Sequence, residues 1–537
     1  MIERSDHKAA PGSVTFSTGQ LGESRPSKLS VFLANAGHGG IRGLVFMINT
    51  LVLVPLLLIT LGKERFAILA LVTPFMRYGF NGVFDFGIAT GVVRHASRSF
   101  AVSDTERTNE YVSSSAAMYV GFGLALVVLF YLLAPLLLPL LVRGNFELYA
   151  SARIVFARAV WIYVLFSLSN PFFALLMGVQ KVEATHWIGT ASLVIELFGI
   201  LLLLPWGLTL ARVTLVYMAN AGLSLMLGVF LARRYFPSLR LRWRYVSMIR
   251  IKEILLYGLQ FSTTTLVAIL SPILDKLIVA RFVGLNPVAF YEAAARLVEL
   301  LKRATQLFLL PLFPIAGATR ETHGERERRR LYLPAFSANL FVSCGLYLIP
   351  CSLGYGIFCV WLGPESQVAA RVFLVLCSTA FCQAVVGPLT MILLGTGRLK
   401  PLVVTALLGL AINITLSPIL ALYLGFWGVL AGSALAYGVV SLVFFVWSLG
   451  VREFTISGRE LIRLSGSAVL AGLLPGIALT HAFRLGDQPL RWLKLIFAGT
   501  IATFVFVLVS LAQTDVRRMA ARAFEHVRHR LSFAWAR

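Results

Sequence analysis

The stretch Tyr291-Glu-Ala-Ala-Ala-Arg296-Leu-Val-Glu299-Leu-Leu-Lys-Arg303 sets Glu292, Arg296, Glu299 and Arg303 at positions i, i+4, i+7 and i+11 of a long apolar segment. On a helix these positions share one face over about 17 Å, roughly half the thickness of a bilayer core. A charge at the centre of a membrane helix costs roughly 2.5 to 3.5 kcal/mol even on the lenient insertion scale, so this face is expected to avoid acyl chains. It must line a polar cavity or neutralise itself. The spacing permits both, because Glu292 with Arg296 and Glu299 with Arg303 are i, i+4 pairs.

Outward from that stretch the composition fixes the broad class. The 537 residues are 58% hydrophobic and only 13% charged, with a mean hydropathy of +0.82, well below the charged fraction of about 25% typical of soluble domains. A polytopic membrane protein follows. Apolar runs of about 20 residues recur about fourteen times, span two being 66–93 and span nine 332–362. Lys and Arg concentrate in alternate loops and in both ends, which places the N- and C-termini in the cytoplasm by the positive-inside rule. The net charge of +24 is thereby a topology signal rather than a nucleic-acid footprint.

A weak repeat organises the middle of the chain. Gly62-Lys-Glu-Arg-Phe-Ala-Ile recurs as Gly284-Leu-Asn-Pro-Val-Ala-Phe, and Leu176-Met-Gly-Val-Gln-Lys181 recurs as Leu393-Leu-Gly-Thr-Gly-Arg398 at nearly the same offset. The expected organisation is a disordered cytoplasmic tail (1–30), a six-helix bundle (31–232), a basic cytoplasmic linker (233–255), a second six-helix bundle (256–450), two additional membrane helices (451–513) and a basic amphipathic tail (514–537). Six spans per half make the repeats parallel, related by an axis along the membrane normal, with a substrate path between them. The fold class is therefore all-α. Residues 1–28 lack an apolar core and are not a cleaved signal peptide, while the last segment has the pattern of a helix lying on the inner leaflet.

Several chemistries are excluded. No phosphate-binding loop, dinucleotide fingerprint or nucleophile elbow is present, and the loops opposite the basic side are too short for a soluble catalytic domain, so the chain is not read as an enzyme. Cys344, Cys351, Cys359, Cys377 and Cys382 lack metal-ligand spacing and read as small apolar fillers. No cofactor, metal or nucleic acid is expected. The formal sequon Asn413-Ile-Thr415 lies within a span, where glycosylation is implausible.

Asp85-Phe-Gly87, Gly178-Val-Gln-Lys181, Leu274-Asp-Lys276, Ala289-Phe-Tyr291 with Arg296-Leu297, Pro311, Pro314 and Leu394-Gly-Thr-Gly-Arg398 fall in an order that resembles the polysaccharide-transporter (Wzx-like) flippases. Those belong with the multidrug MATE exporters and lipid II flippases in one superfamily. The resemblance covers roughly residues 30–450. It implies a MATE-like fold in a bacterial inner membrane and translocation of an undecaprenyl-pyrophosphate-linked oligosaccharide for O-antigen, capsule or exopolysaccharide assembly. Partners would be that cargo, membrane lipids, and a polysaccharide polymerase with other glycan-assembly proteins. It also implies a cavity arginine at Arg296 and another at Arg77. Arg65-Phe-Ala67 carries no carboxylate where lipid II flippases have one, which argues against lipid II as cargo.

Cationic candidates for a pyrophosphate site are thus Arg77, Arg158, Lys276, Arg296 and Arg303. A guanidinium grips phosphate oxygens in a two-pronged fork without losing its proton. Membrane potential, protons or Na+ would drive the cycle, with Asp85, Glu196, Asp275 and Glu299 as coupling candidates. Bland roles stand beside these: Asp275 neutralising Lys276, Asp85 pairing with Arg94 or Arg98, Glu196 facing Arg158, and Arg158 or Arg212 snorkelling to the interface. Pro74, Pro171, Pro272 and Pro388 are candidate kinks. The rival readings are a multidrug or cation antiporter of the same fold, whose cavity would be acidic and aromatic, and a membrane-embedded glycan-assembly enzyme.

Overall fold

The computed structural model describes residues 28–77, 85–142, 146–310, 312–313, 316, 325–363, 366–448 and 499–507. The N-terminal tail, most of the segment expected to hold the last two membrane helices, and the basic C-terminal tail lie outside them. The first half comprises α1 (Lys28–Leu61), α2 (Lys63–Arg77), α3 (Ile88–Ala101), α4 (Thr105–Val142), α5 (Phe146–Gly178), α6 (Val182–Leu202) and α7 (Leu210–Tyr235). The second comprises α8 (Met248–Phe282), α9 (Leu285–Leu309), α10 (Glu325–Ser343), α11 (Ile349–Ser352), α12 (Gly354–Leu362), α13 (Gln367–Gly395), α14 (Lys400–Leu424), α15 (Phe426–Ser433) and α16 (Val440–Ser448). A π-helical turn, Cys344–Leu348, joins α10 to α11, and another, Ala434–Val439, joins α15 to α16. No strand occurs among the described residues.

Ten of these helical segments are long and apolar enough to cross a membrane. Of the expected spans that fall on the described residues, two are not among them, and each has a physical reason. The segment 66–93 is not one helix: α2 is described as far as Arg77, and α3 starts at Ile88 after Phe86 and Gly87 turn through left-handed φ values of 48° and 75°. The segment containing α9 is helical from Leu285 to Leu309 but carries the charged stripe. The chain reverses at Gly62 and Gly284, the glycines that the sequence repeat pairs. Between α7 and α8 the linker is shorter than expected, because α7 runs on to Tyr235 and α8 begins at Met248.

Within the first half α5 is central, packed on α2, α3, α4 and α7, with α6 against α1 and α7. In the second half α13 packs on α9 and α10, and α14 on α8 and α15. The halves meet where α2 and α1 touch α9 and where α3 and α4 touch the start of α8. One apolar core runs across that boundary, from Leu57, Phe66, Leu69 and Met76 to Val288, Ala293 and Val298. Small residues dominate the α9 side, where Ala289, Ala293 and Ala294 are fully buried. Close helix approach through small side chains is the usual basis of packing in a bilayer.

Candidate functional site

The charged stripe of α9 splits into two pairs. Glu292 is buried and accepts from Arg296 Nε at 2.6 Å through Oε1 and from Lys276 Nζ at 3.0 Å through Oε2. The Lys276 ammonium also donates to the backbone carbonyl of Ala70 on α2 at 2.7 Å, tying the two halves together. A buried ion stands only when its partners replace its hydration, and here one carboxylate serves two cations. The triad carries a net charge of +1. One turn and more further on, Arg303 Nε meets Glu299 Oε1 at 3.0 Å, with both side chains more than a third exposed. The Arg303 guanidinium lies 3.9 Å from the centre of the Phe46 ring on α1.

Arg296 and Glu292 line a cavity between the halves, together with Asn49, Thr50, Leu53, Val54 and Leu57 of α1, Phe66, Leu69, Ala70 and Thr73 of α2, and Tyr217 of α7. Its water-accessible volume is about 20 Å³, room for one or two waters. It is too small to hold a sugar. Arg42 on α1, exposed, adds a cation that the sequence reading did not single out. Its guanidinium rests against Gly189 of α6, where a Cβ would meet Arg42 Cζ at 2.6 Å. The signal was present, an arginine inside an apolar helix, but its place near the end of the span reads as a flank.

Asp275 sits in a separate buried cluster in the second half. Tyr291 OH donates to Oδ2 at 2.8 Å, while Asn413 Nδ2 at 2.9 Å and Ser433 Oγ at 2.6 Å both donate to Oδ1. Asn413 Nδ2 also reaches Ser417 Oγ at 3.3 Å, and Asn413 Oδ1 has no hydrogen-bond partner. The π-helical turn begins directly after Ser433. Neutralisation of Asp275 by Lys276 is thus corrected, since the lysine ammonium bonds to Glu292 and α2 instead. Four oxygens from α8, α14 and α15 belong to this one network, Asp275 Oδ1, Ser417 Oγ, Ser433 Oγ and the Val429 carbonyl that accepts from Ser433 at 3.1 Å. Hard oxygen donors with one carboxylate suit a proton or a small hard cation.

The other candidates are dispersed. Arg158 donates to the Ala211 carbonyl and, at 3.2 Å, to Thr214 Oγ1, so it braces α5 against α7 and does not line the cavity. Glu196 is buried in α6. Asp85, at the break before α3, accepts from the Tyr119 hydroxyl. Pairing of Asp85 with Arg94 is corrected as well, because the Arg94 guanidinium covers the Tyr257 ring at 3.9 Å. Arg77 is the last residue of α2, and its side chain is outside the described residues. Arg212 donates to the Gly207 carbonyl at 2.6 Å and caps the turn before α7.

Similar structures share the architecture. The chain superposes on a solved structure described as lipid II flippase MurJ in an inward closed conformation with a TM-score of 0.70 at 14% identity, over 89% of this chain and 99% of that one. A MATE multidrug resistance transporter of the MOP superfamily in an inward-facing conformation gives 0.63 at 17% identity, over 79% and 95%. A MOP superfamily transporter from Pyrococcus furiosus, whose binding pocket is described as of reverse polarity, gives 0.55 at 15% identity, over 79% and 98%. At such identities the likeness establishes the fold, that of the MATE/MOP transporters. No curated protein matches the sequence. The sequence model of the polysaccharide biosynthesis protein family matches residues 33–320, more than half of the chain, and the chain belongs to that family.

Proposed function

Proceeding from that membership, we propose that the chain is a flippase that carries an undecaprenyl-pyrophosphate-linked oligosaccharide from the inner to the outer leaflet of a bacterial cytoplasmic membrane, for assembly of a surface polysaccharide. The observation that carries the reading is the Lys276–Glu292–Arg296 triad, which leaves one net positive charge on a cavity between the halves. A pyrophosphate diester brings about two negative charges, and a cation at 4 Å attracts each by roughly 4 kcal/mol at an effective dielectric near 20 before desolvation. Arg42 extends the positive field towards the basic end of the bundle, whereas Arg303 is neutralised by Glu299. That end faces the cytoplasm in this reading, and so do both termini. The lipid tail stays in the bilayer while the head group crosses.

The small size of the cavity supports alternating access, because a glycan enters only when the halves part. Moving two negative charges outward is favoured by about 4 to 5 kcal/mol per 100 mV, inside negative. Resetting the empty carrier requires a group that distinguishes its states, and the Asp275 cluster is the best furnished of the coupling candidates. A cationic drug exporter of the same fold is disfavoured by the positive site. No group-transfer chemistry is assigned to the chain, and the glycan polymerase is a partner rather than an activity of this protein.

Arg296→Ala tests the proposal. In proteoliposomes, delivery of a labelled lipid-linked oligosaccharide to the opposite leaflet should fall by more than tenfold, with the variant still inserted and folded. Delivery at the ordinary rate would remove Arg296, and the reading with it.

A further inference from the structure

The wall that the first half gives to the cavity is uncharged. Asn49 and Thr50 come from α1, Thr73 from α2 and Tyr217 from α7, whereas the charged lining residues Glu292 and Arg296 both come from α9. Asn49 is 1% and Thr50 2% exposed. Asn49 Nδ2 donates to the Leu193 carbonyl of α6 at 2.9 Å, which fixes the amide, yet its Oδ1 has no partner. Thr50 Oγ1 has none either, although the neighbouring wall residue Thr73 bonds its hydroxyl to the Leu69 carbonyl at 2.6 Å. A buried polar atom without a partner costs about 1–3 kcal/mol, and an apolar side chain of the same shape would avoid that cost. Two such atoms on adjacent residues, both lining one cavity, fit a ligand that completes their bonds.

We propose that Asn49 and Thr50 read the hydroxyl and amide groups of the first sugar of the cargo, while Arg296 holds the adjoining pyrophosphate. The assignment rests on the flippase reading and deepens it. An amide oxygen accepts from a sugar hydroxyl or an acetamido N–H, and a threonine hydroxyl both donates and accepts, so the pair matches a neutral polyhydroxylated group and has no charge to offer a phosphate. Selectivity follows from the same cost. A cargo lacking the matching groups leaves both atoms unbonded, and sites built to bond a hydroxyl reject analogues without one far better than apolar pockets sort by size. The division of labour is by half: α9 recognises what all such lipids share, and α1 what differs between them.

The test compares two probes on the purified full chain in nanodiscs, undecaprenyl pyrophosphate and undecaprenyl-pyrophosphoryl-N-acetylglucosamine. Asn49→Leu and Thr50→Val should each weaken the sugar-bearing lipid five- to thirtyfold, the equivalent of losing one or two bonds at about 1 kcal/mol each. Binding of the bare pyrophosphate lipid should stay within twofold, and Thr50→Ser, which keeps the hydroxyl, should bind both as the unaltered protein does. Arg296→Gln should weaken both lipids alike. Equal losses for the two probes, or no loss for either, in Asn49→Leu and Thr50→Val would overturn the sugar assignment while leaving the flippase reading intact. Arg296→Gln binding both lipids normally would instead bring down the underlying reading. Loss of both probes in Asn49→Leu through misfolding is separated by Thr50→Val, whose side chain is isosteric.

Discussion

Glu292 joins two cations, Lys276 and Arg296, between the halves. Removing its charge by Glu292→Gln leaves Lys276 and Arg296 close together without a counter-ion, and breaking a buried pair in this way costs about 3–5 kcal/mol. Lys276→Met should cost less, because Glu292 keeps Arg296. Thermal unfolding in detergent should rank the variants in that order, and equal midpoints would show that water already screens the triad. The pairs along α9 were legible in the sequence because helical geometry alone sets i, i+4 contacts. Lys276 on Glu292, Asn413 and Ser433 on Asp275, and Arg42 against Gly189 were not legible, since each joins residues that only the tertiary packing brings together. Asn413 was legible only as a sequon, which hid its contact with Asp275. In the coupling role, Asp275→Asn should abolish the dependence of transport on a proton or Na+ gradient while leaving cargo binding within a few fold; gradient-driven transport at the ordinary rate would exclude the cluster from coupling.

At the scale of elements, α8 belongs to both halves. Its first turns lie on α3 and α4, while its later turns pack on α14 and α15 of its own half. The crossing with α3 is made at two glycines: a Cβ on Gly91 would stand 2.7 Å from the Ile254 carbonyl oxygen, and one on Gly258 would stand 2.5 Å from that of Gly87. Backbone cannot yield as a side chain tip can. Gly258→Leu should therefore force the helices apart and lower stability by about 1–3 kcal/mol or more, read as a fall in the unfolding midpoint; an unchanged midpoint would mean the crossing is loose. The linker is fixed to the same half, with Asn109 bonded to the Ser238 carbonyl at 3.0 Å and to the Arg240 amide at 2.9 Å, and the Ser247 amide bonded to Ser114 Oγ at 3.0 Å. Hydropathy placed the membrane segments well but read 66–93 as one span, because an apolar run does not report a break whose cause is backbone conformation at Phe86 and Gly87.

For the molecule as a whole, the two halves are latched at the basic end, where Arg250 and Glu253 precede the membrane segment of α8. Arg250 on α8 bonds to Glu110 of α4 at 2.8 Å and to Glu253 at 3.0 Å, and Glu253 accepts from the Tyr111 hydroxyl, whose ring stacks on His95 at 4.8 Å. The bond from Tyr111, then Arg250, holds the Glu253 carboxyl below its ordinary range, and the bond to Glu110 raises Arg250 further above its own. A depressed carboxyl contributes its stability above its unfolded value, about 4.3 for Glu, and loses it only as pH falls through the depressed folded value. The latch should accordingly be indifferent to pH between about 6 and 8. Burial lowers His95, so the imidazole stays neutral over most of that window and does not add a cation beside Arg94 and Arg98. In a background without the native cysteines, Ile254→Cys, at a position with 0% exposure, reports opening through its rate of reaction with a thiol reagent. That rate should be the same at pH 6 and pH 8, and Glu253→Gln should raise it several-fold at both. A steady rise on acidification in the unaltered latch would transfer control of the basic end from the Glu253 pair to His95.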